Sequence, residues 1–229
     1  MAKNKLQKFE DVEQFPNVFQ YTDFWNTGKE MPRAKWHREV FKNQNPITLE
    51  LACGKAEYTV SMARMFPGRN FIGIDKKGWR LWTGAKTALV EGLGNTHFMR
   101  IFIDHLEDYF APGEVEEIWI VFPDPFLRES RESNRLTSPK FLEIYRHILT
   151  PGGVIHLKTD SPELFSYTLE TIEGQGCTIT DQCDDIYEQR PDDKLLSIRT
   201  FYEEMHLEEG RTIRYVAFSP HFSHKISET

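Results

Sequence analysis

Residues 47–66 read ITLELACGKAEYTVSMARMF. The first part, 47–53, is apolar-rich with one acid, Glu50, and reads as a strand. A turn of small residues follows, Ala52-Cys53-Gly54-Lys55-Ala56, and helical periodicity takes over across 57–66. This is the first βα unit, and the chain repeats its alternation downstream. Residues 70–74 form a second strand and 78–91 a second helix, with apolar positions at Leu81, Trp82, Ala85 and Leu89. A third strand spans 96–103. The stretch 117–122, EIWIVF, is apolar on both faces, as a central parallel strand requires. A helix over 138–149, with Ser138 in the N-cap position, leads through Pro151-Gly152-Gly153 into a strand at 154–158. A helix over 162–173, a weaker strand near 177–180 and a last strand at 212–218 complete the pattern. Strands separated by helices of 10 to 15 residues imply right-handed crossovers and a mostly parallel sheet covered on both faces. The fold class is α/β and Rossmann-like, and ligands of such folds sit at the carboxyl ends of the strands.

Upstream, residues 1–45 are aromatic-rich and mixed in charge (FPNVFQYTDFW, KWHREVFKNQNP) and read as an N-terminal arm packed on a domain spanning 46–229. Segment 181–209 carries 10 acidic residues against 3 basic ones and reads as a solvated loop and helix. The 229 residues carry 28 Lys and Arg against 35 Asp and Glu, a net charge of −7. That excludes a protein held to nucleic acid by bulk positive charge, though not one with a local basic patch. With 39% hydrophobic residues and 17 Phe, the chain is not disordered. Cys53, Cys177 and Cys183 are odd in number and lack C-x-x-C spacing, so neither a disulfide framework nor a metal site is expected. The charged start MAKNKLQKFEDVEQF has no apolar core of a signal peptide, and no apolar run approaches membrane-spanning length. A soluble, cytoplasmic protein without a membrane partner is the expectation.

The polar residues fall at equivalent places. Glu50 lies late in the first strand, Asp75 ends the second, and Asp104, Asp124 and Asp160 follow the next three. One such Asp is as readily a cap or a turn residue, but five in series converge on one crevice. The loop at 52–56 has a single Gly54, and lacks both the G-x-G-x-x-G of a dinucleotide site and a G-K-[ST] phosphate loop. A small-residue turn among acids suits a cationic ligand with ribose hydroxyls, which Asp75 is placed to accept. S-adenosylmethionine has both features. In Phe122-Pro123-Asp124-Pro125-Phe126 two prolines hold the Asp in a rigid, extended turn after the central strand. Arg128, Arg131 and Arg135 follow and supply charge suited to phosphate.

On these residues the chain resembles the bacterial tRNA (guanine-N7-)-methyltransferases of the TrmB type. The resemblance runs from about residue 49 to 218 and rests on LELACGKAEY, FIGID, the Asp104 region, FPDPF with its trailing arginines, LTPGG…KTD and RTFYE at 199–203. It implies a class I S-adenosylmethionine-dependent methyltransferase fold and methylation of guanine N7 at position 46 of the tRNA variable loop, by a monomer or homodimer. Glu50, Asp75, Asp104 and Asp124 match the family's S-adenosylmethionine positions, beside Gly54 of the loop, and Asp124 also matches its catalytic residue. Arg128, Asp160 and the Thr200–Glu203 stretch, with Tyr202, match its substrate positions. Ser130 to Arg135, with Arg131 among them, matches the segment that touches tRNA. Two departures stand out: the family's E-I-G-x-G-x-G is E-L-A-C-G-K-A here, and its FPDPW-P-K is FPDPF-L-R. The bland alternatives are a methyltransferase on another RNA or small substrate, and a tRNA-binding protein without turnover.

Overall fold

The computed structural model describes residues 2–23 and 30–220. Eight strands form one sheet: β1 (Val18–Gln20), β2 (Ile47–Leu51), β3 (Asn70–Ile74), β4 (Thr96–Arg100), β5 (Val115–Val121), β6 (Leu149–Thr159), β7 (Thr178–Cys183) and β8 (Arg214–Ser219). Their order is β1-β4-β3-β2-β5-β6-β8-β7. The first six are parallel, while β8 lies antiparallel to both β6 and β7. The helices are α1 (Ala2–Gln14), α2 (Glu57–Met65), α3 (Gly78–Glu91), α4 (Leu106–Tyr109), α5 (Pro139–Ile148), α6 (Pro162–Gly174), α7 (Ile186–Gln189) and α8 (Phe201–Glu208).

β2 is the centre. From it the chain steps outward through β3 to β4, then returns to add β5 and β6 on the other side. The order reverses between β2 and β5, so their carboxyl ends open a crevice. Leu51 pairs in register with Ile120, which sets the loop after β2 beside the loop after β5. Strands β2 and β3 are buried along their whole length and β5 over its last four residues. Their continuous apolar sequences follow from cover on both faces.

Several elements differ from the expectation in instructive ways. The third strand stops at Arg100 and turns through a 3₁₀ segment, Ile103–His105, before α4. Ser138 occupies the N-cap position of α5, but its hydroxyl donates to Ser133 O (3.2 Å) and does not cap the helix. The acidic segment 181–209 is not a solvated excursion. Cys183, Ile186, Leu196 and Ile198 pack with Tyr58 and Trp119 in one core cluster, and Glu203 is fully buried. Its apolar residues are spaced singly among charges, so composition hides them.

Between residues 2 and 45, α1 packs on α3 through Val12, which joins Leu81, Ala85 and Ala88, and β1 adds to the sheet edge beside β4. Trp36 is fully buried, stacks on Phe110 at 5.4 Å and donates its indole N–H to Tyr109 O (3.0 Å). Phe19, Trp36 and Phe41 of this stretch are core material, each burying a large apolar area.

Candidate functional site

Three backbone positions of the loop after β2 are left-handed: Ala52 (φ 55°), Gly54 (φ 58°) and Ala56 (φ 59°). These are the places where the resemblance expects glycine, and only position 54 has it. Alanine in this region costs about 1–2 kcal/mol per residue. The loop also lies tight against α3: a Cβ on Gly84 would sit 2.6 Å from Ala56 Cβ and 2.8 Å from Lys55 O. The absence of a side chain at Gly84 is what lets α3 approach.

Two carboxylates hold this loop. Asp75, at the end of β3, accepts from Gly54 N–H at 3.0 Å and from Lys77 N–H at 2.7 Å. Burial raises its pKa above the usual range, against the pull of those two amides. Glu50 lies below the loop, 2% exposed, and accepts from the backbone N–H (2.7 Å) and hydroxyl of Thr59 in α2. Burial pushes its carboxyl up to about 8. It ties the end of β2 to α2 and lines neither of the two cavities described below.

The turn after β5 is strained at both ends. Phe122 (φ 47°) and Phe126 (φ 43°) are left-handed, and between them Pro123-Asp124-Pro125 carries the Asp outward. For a bulky residue this region is an outlier, and such strain gathers at functional sites. The prolines therefore tell only part of the story: the rigid turn begins and ends on strained phenylalanines. Phe122 N–H donates to Lys158 O (2.9 Å), so the turn starts as strand pairing ends.

Asp124 is exposed and lines two cavities that meet at the turn. The first, about 380 Å³, lies over the ends of β2, β3 and β4. Its wall includes Ala52, Asp75 and Asp104, the apolar Ile101, Phe102 and Ile103, and the cations Lys76, Lys77, Arg80 and Arg131. Asp104 receives a hydrogen bond from Lys140 Nζ, and that ammonium holds its carboxyl below the ordinary range. The second cavity, about 640 Å³, lies beyond Asp124 toward Asp160, Tyr202, His206 and Arg211. Asp160 there accepts from Arg211 Nη1 at 2.6 Å and lies 3.7 Å from His206 Nδ1.

The expected residues thus separate. Asp75, Asp104 and Asp124 face the first cavity, and Asp124, Asp160 and Tyr202 the second. Arg128 is exposed beside them, and Arg131 lines the first cavity. Arg135, expected to offer its charge outward, is instead 8% exposed. Its guanidinium donates to Pro125 O (3.2 Å) and Phe126 O (3.3 and 3.2 Å) and lies 4.2 Å over the Tyr167 ring, so it clamps the turn. Thr200 and Glu203 also point away from the cavities. They form the capping box of α8, and Glu203 is buried against Lys158 Nζ (2.7 Å) and the Tyr187 hydroxyl (2.7 Å). Arg80 and His206 were missed by the sequence reading. Arg80 lines both cavities from the first turn of α3, and the only signal for it is its place just after Asp75.

A parallel sheet with this crossover, a small-residue loop after the central strand and acids at successive strand ends define a class I S-adenosylmethionine-dependent methyltransferase. A family model described as "Putative methyltransferase" matches residues 44–215. Over 221 residues the chain is 45% identical to a tRNA (guanine-N(7)-)-methyltransferase of Bacteroides fragilis, covering 95% of this chain and 86% of the relative. It is 47% identical over 219 residues to the one of Christiangramia forsetii, covering 95% and 98%. The chain belongs to the TrmB family of tRNA (guanine-N7-)-methyltransferases. The 16S rRNA methyltransferase KamB shares the fold, with a TM-score of 0.64, 14% identity, and coverage of 84% of this chain and 95% of that one.

Proposed function

We propose that the chain transfers the methyl group of S-adenosylmethionine to N7 of a guanine in tRNA, at position 46 of the variable loop, and that it does so in the cytoplasm. The observation that carries this reading is Asp124, exposed on a turn strained at both ends and shared by two cavities. The walls of the first cavity fit the donor. Carboxylates Asp75 and Asp104 suit its ribose hydroxyls and amines, Ile101, Phe102 and Ile103 its flat base, and Lys76, Lys77 and Arg80 its carboxylate. When bound, the sulfonium supplies an electrophilic methyl group.

Guanine N7 carries a lone pair and no proton, so nothing need be removed from it. The chain's task is to position the base and exclude water. Asp124 accepts from the guanine N1–H and exocyclic amine, and its charge offsets the positive charge the ring acquires. Tyr202, at the far wall of the second cavity, offers a ring face to an unstacked base. Arg128 and Arg131 meet phosphates on either side.

The test is incubation with labelled S-adenosylmethionine and unmodified tRNA, followed by analysis for 7-methylguanosine. A transcript with adenine in place of guanine 46 should give no product. Asp124→Asn should lower the single-turnover rate far more than it lowers S-adenosylmethionine affinity. A rate within about threefold of wild type, under 1 kcal/mol of barrier, removes Asp124 from the chemistry.

A further inference from the structure

Apart from Arg80, the face formed by α1 and α3 takes no part in the chemistry above, yet it gathers cations around two tryptophans. Lys5 Nζ and the Arg80 guanidinium lie 5.4 and 5.5 Å from the centre of the Trp79 ring. Lys8 and Lys86 Nζ lie 4.6 and 4.7 Å from that of Trp82. Two ammonium groups held on one indole repel each other, and the ring only partly offsets this. Asp11 is the acid nearby, and its carboxylate accepts from the Trp82 indole N–H (2.8 Å) and the Gln7 amide (3.1 Å).

Some cations elsewhere in the molecule are paired with acids. Arg64, Arg69, Arg146, Arg190 and Arg211 each meet a carboxylate within 3.4 Å. Among the described residues, no ion pair includes Lys5, Lys8 or Lys86. Asp11 is the acid that faces them: the Trp82 and Gln7 hydrogen bonds, and to a lesser extent the Lys86 charge, hold its carboxyl below the ordinary range. The helices that carry the cations are fixed: Val12 packs against α3, and Asn17 Nδ2 donates to Ala85 O at 3.0 Å. The two helices that bear the cations are therefore set against each other before any partner arrives. The face is also continuous with the first cavity, because Arg80 belongs to both.

Four cations gathered on two indole rings, on a face that runs away from the reaction site, match a phosphate backbone in charge and in extent. We propose that the α1–α3 face docks the sugar-phosphate backbone of the tRNA substrate, away from the base that is methylated. This rests on the reading of the chain as a tRNA methyltransferase. Lys5, Lys8 and Lys86 carry the electrostatic part, and the contact is independent of base sequence.

The test uses the full chain with Lys5→Gln, Lys8→Gln and Lys86→Gln combined; none of the three lines a cavity described above. Each lost phosphate contact removes about 0.7–0.9 from the slope of log K against log[salt], so the triple variant should flatten tRNA binding by about two units. At moderate salt its KM for tRNA should rise about tenfold or more, with kcat and S-adenosylmethionine affinity unchanged. The corresponding three Lys→Arg changes should restore the slope. Lys86→Gln alone should remove about one third of the effect, which keeps the test valid if the triple variant folds poorly. A folded triple variant with wild-type slope and KM overturns the proposal. So does a variant that keeps tRNA binding but loses binding to vesicles of anionic phospholipid. Failure of the underlying reading shows separately, as a wild-type protein that forms no 7-methylguanosine in tRNA.

Discussion

Ala52 and Ala56 sit in left-handed backbone, a conformation that favours glycine, and the two positions differ in what their methyl groups do. Ala56 is fully buried and its Cβ fills the space left by Gly84, so its strain is offset by packing. Ala52 is half-buried on the cavity wall and has less to offset the cost. Ala52→Gly should therefore stabilise the protein by about 1 kcal/mol, relief of a left-handed Cβ less the extra chain entropy of glycine. For a chain of this size that is a rise in Tm of about 2–4 °C, readable by calorimetry. An unchanged or lower Tm means that the strain is relaxed elsewhere. At Asp75 the carboxylate serves loop and cavity together. Asp75→Ala should weaken S-adenosylmethionine binding by about 1.5–3 kcal/mol, the range for hydrogen bonds to a charged group. Isothermal titration tests this, and unchanged affinity removes Asp75 from the site.

At the scale of elements, α8 is held by one buried charge pair. Lys158 Nζ donates to Leu196 O (2.6 Å), Ile198 O (3.1 Å) and Glu203, with neither side chain of the pair exposed. Burial lowers the Lys158 pKa, and the Glu203 carboxylate opposes that shift. The pair fastens the loop before α8 and so sets where Tyr202 and His206 stand in the second cavity. Removing one partner strands the other charge, at a cost of about 3–5 kcal/mol. Glu203→Leu should lose that much in urea unfolding, whereas Lys158→Met with Glu203→Leu should recover part of it. Equal losses in the single and the double variant would mean that the carbonyl contacts of Lys158 dominate over the pair. Arg135 acts likewise on the FPDPF turn, and its role is a clamp at the very place where sequence suggested a phosphate contact.

Across the whole molecule, the buried Glu50 and the half-buried Glu117 give stability opposite dependences on pH. Glu50 is raised to about 8 by burial, so its contribution is full below the ordinary glutamate range and is lost as pH rises through about 8. Burial also acts to raise Glu117, but the hydrogen bond and charge of His156, with Arg69 and Thr48, outweigh it and hold the carboxyl at about 2. Its contribution is present above the ordinary range and is lost as pH falls through about 2. Glu50→Gln keeps an oxygen to accept from Thr59 but cannot ionise. The variant should gain on wild type as pH rises from about 5 to 9, by on the order of a few kcal/mol, when unfolding free energy is followed against pH. Parallel curves would show that Glu50 ionises without penalty.

Strands 70–74 and helix 78–91 fall where the residues place them, because burial on both faces and 3.6-residue periodicity are local patterns. The series Asp75, Asp104, Asp124 and Asp160 was legible for the same reason: strand ends are marked in the chain, and a parallel sheet brings strand ends together. Which face of a side chain meets which neighbour is not local. Arg128, Arg131 and Arg135 look alike in sequence. Only the tertiary structure turns Arg135 onto the carbonyls of the turn and leaves the other two at the surface. Thr200 and Glu203 read as substrate residues by motif, yet the fold spends them on a helix cap and a buried ion pair 45 residues from Lys158 in sequence. The cationic face of α1 and α3 likewise has no sequence signature, since Lys8 and Lys86 meet across Trp82 only once the two helices pack. Charge and periodicity are properties of the chain, whereas partners are assigned by contacts between distant segments, and those exist only in the folded molecule.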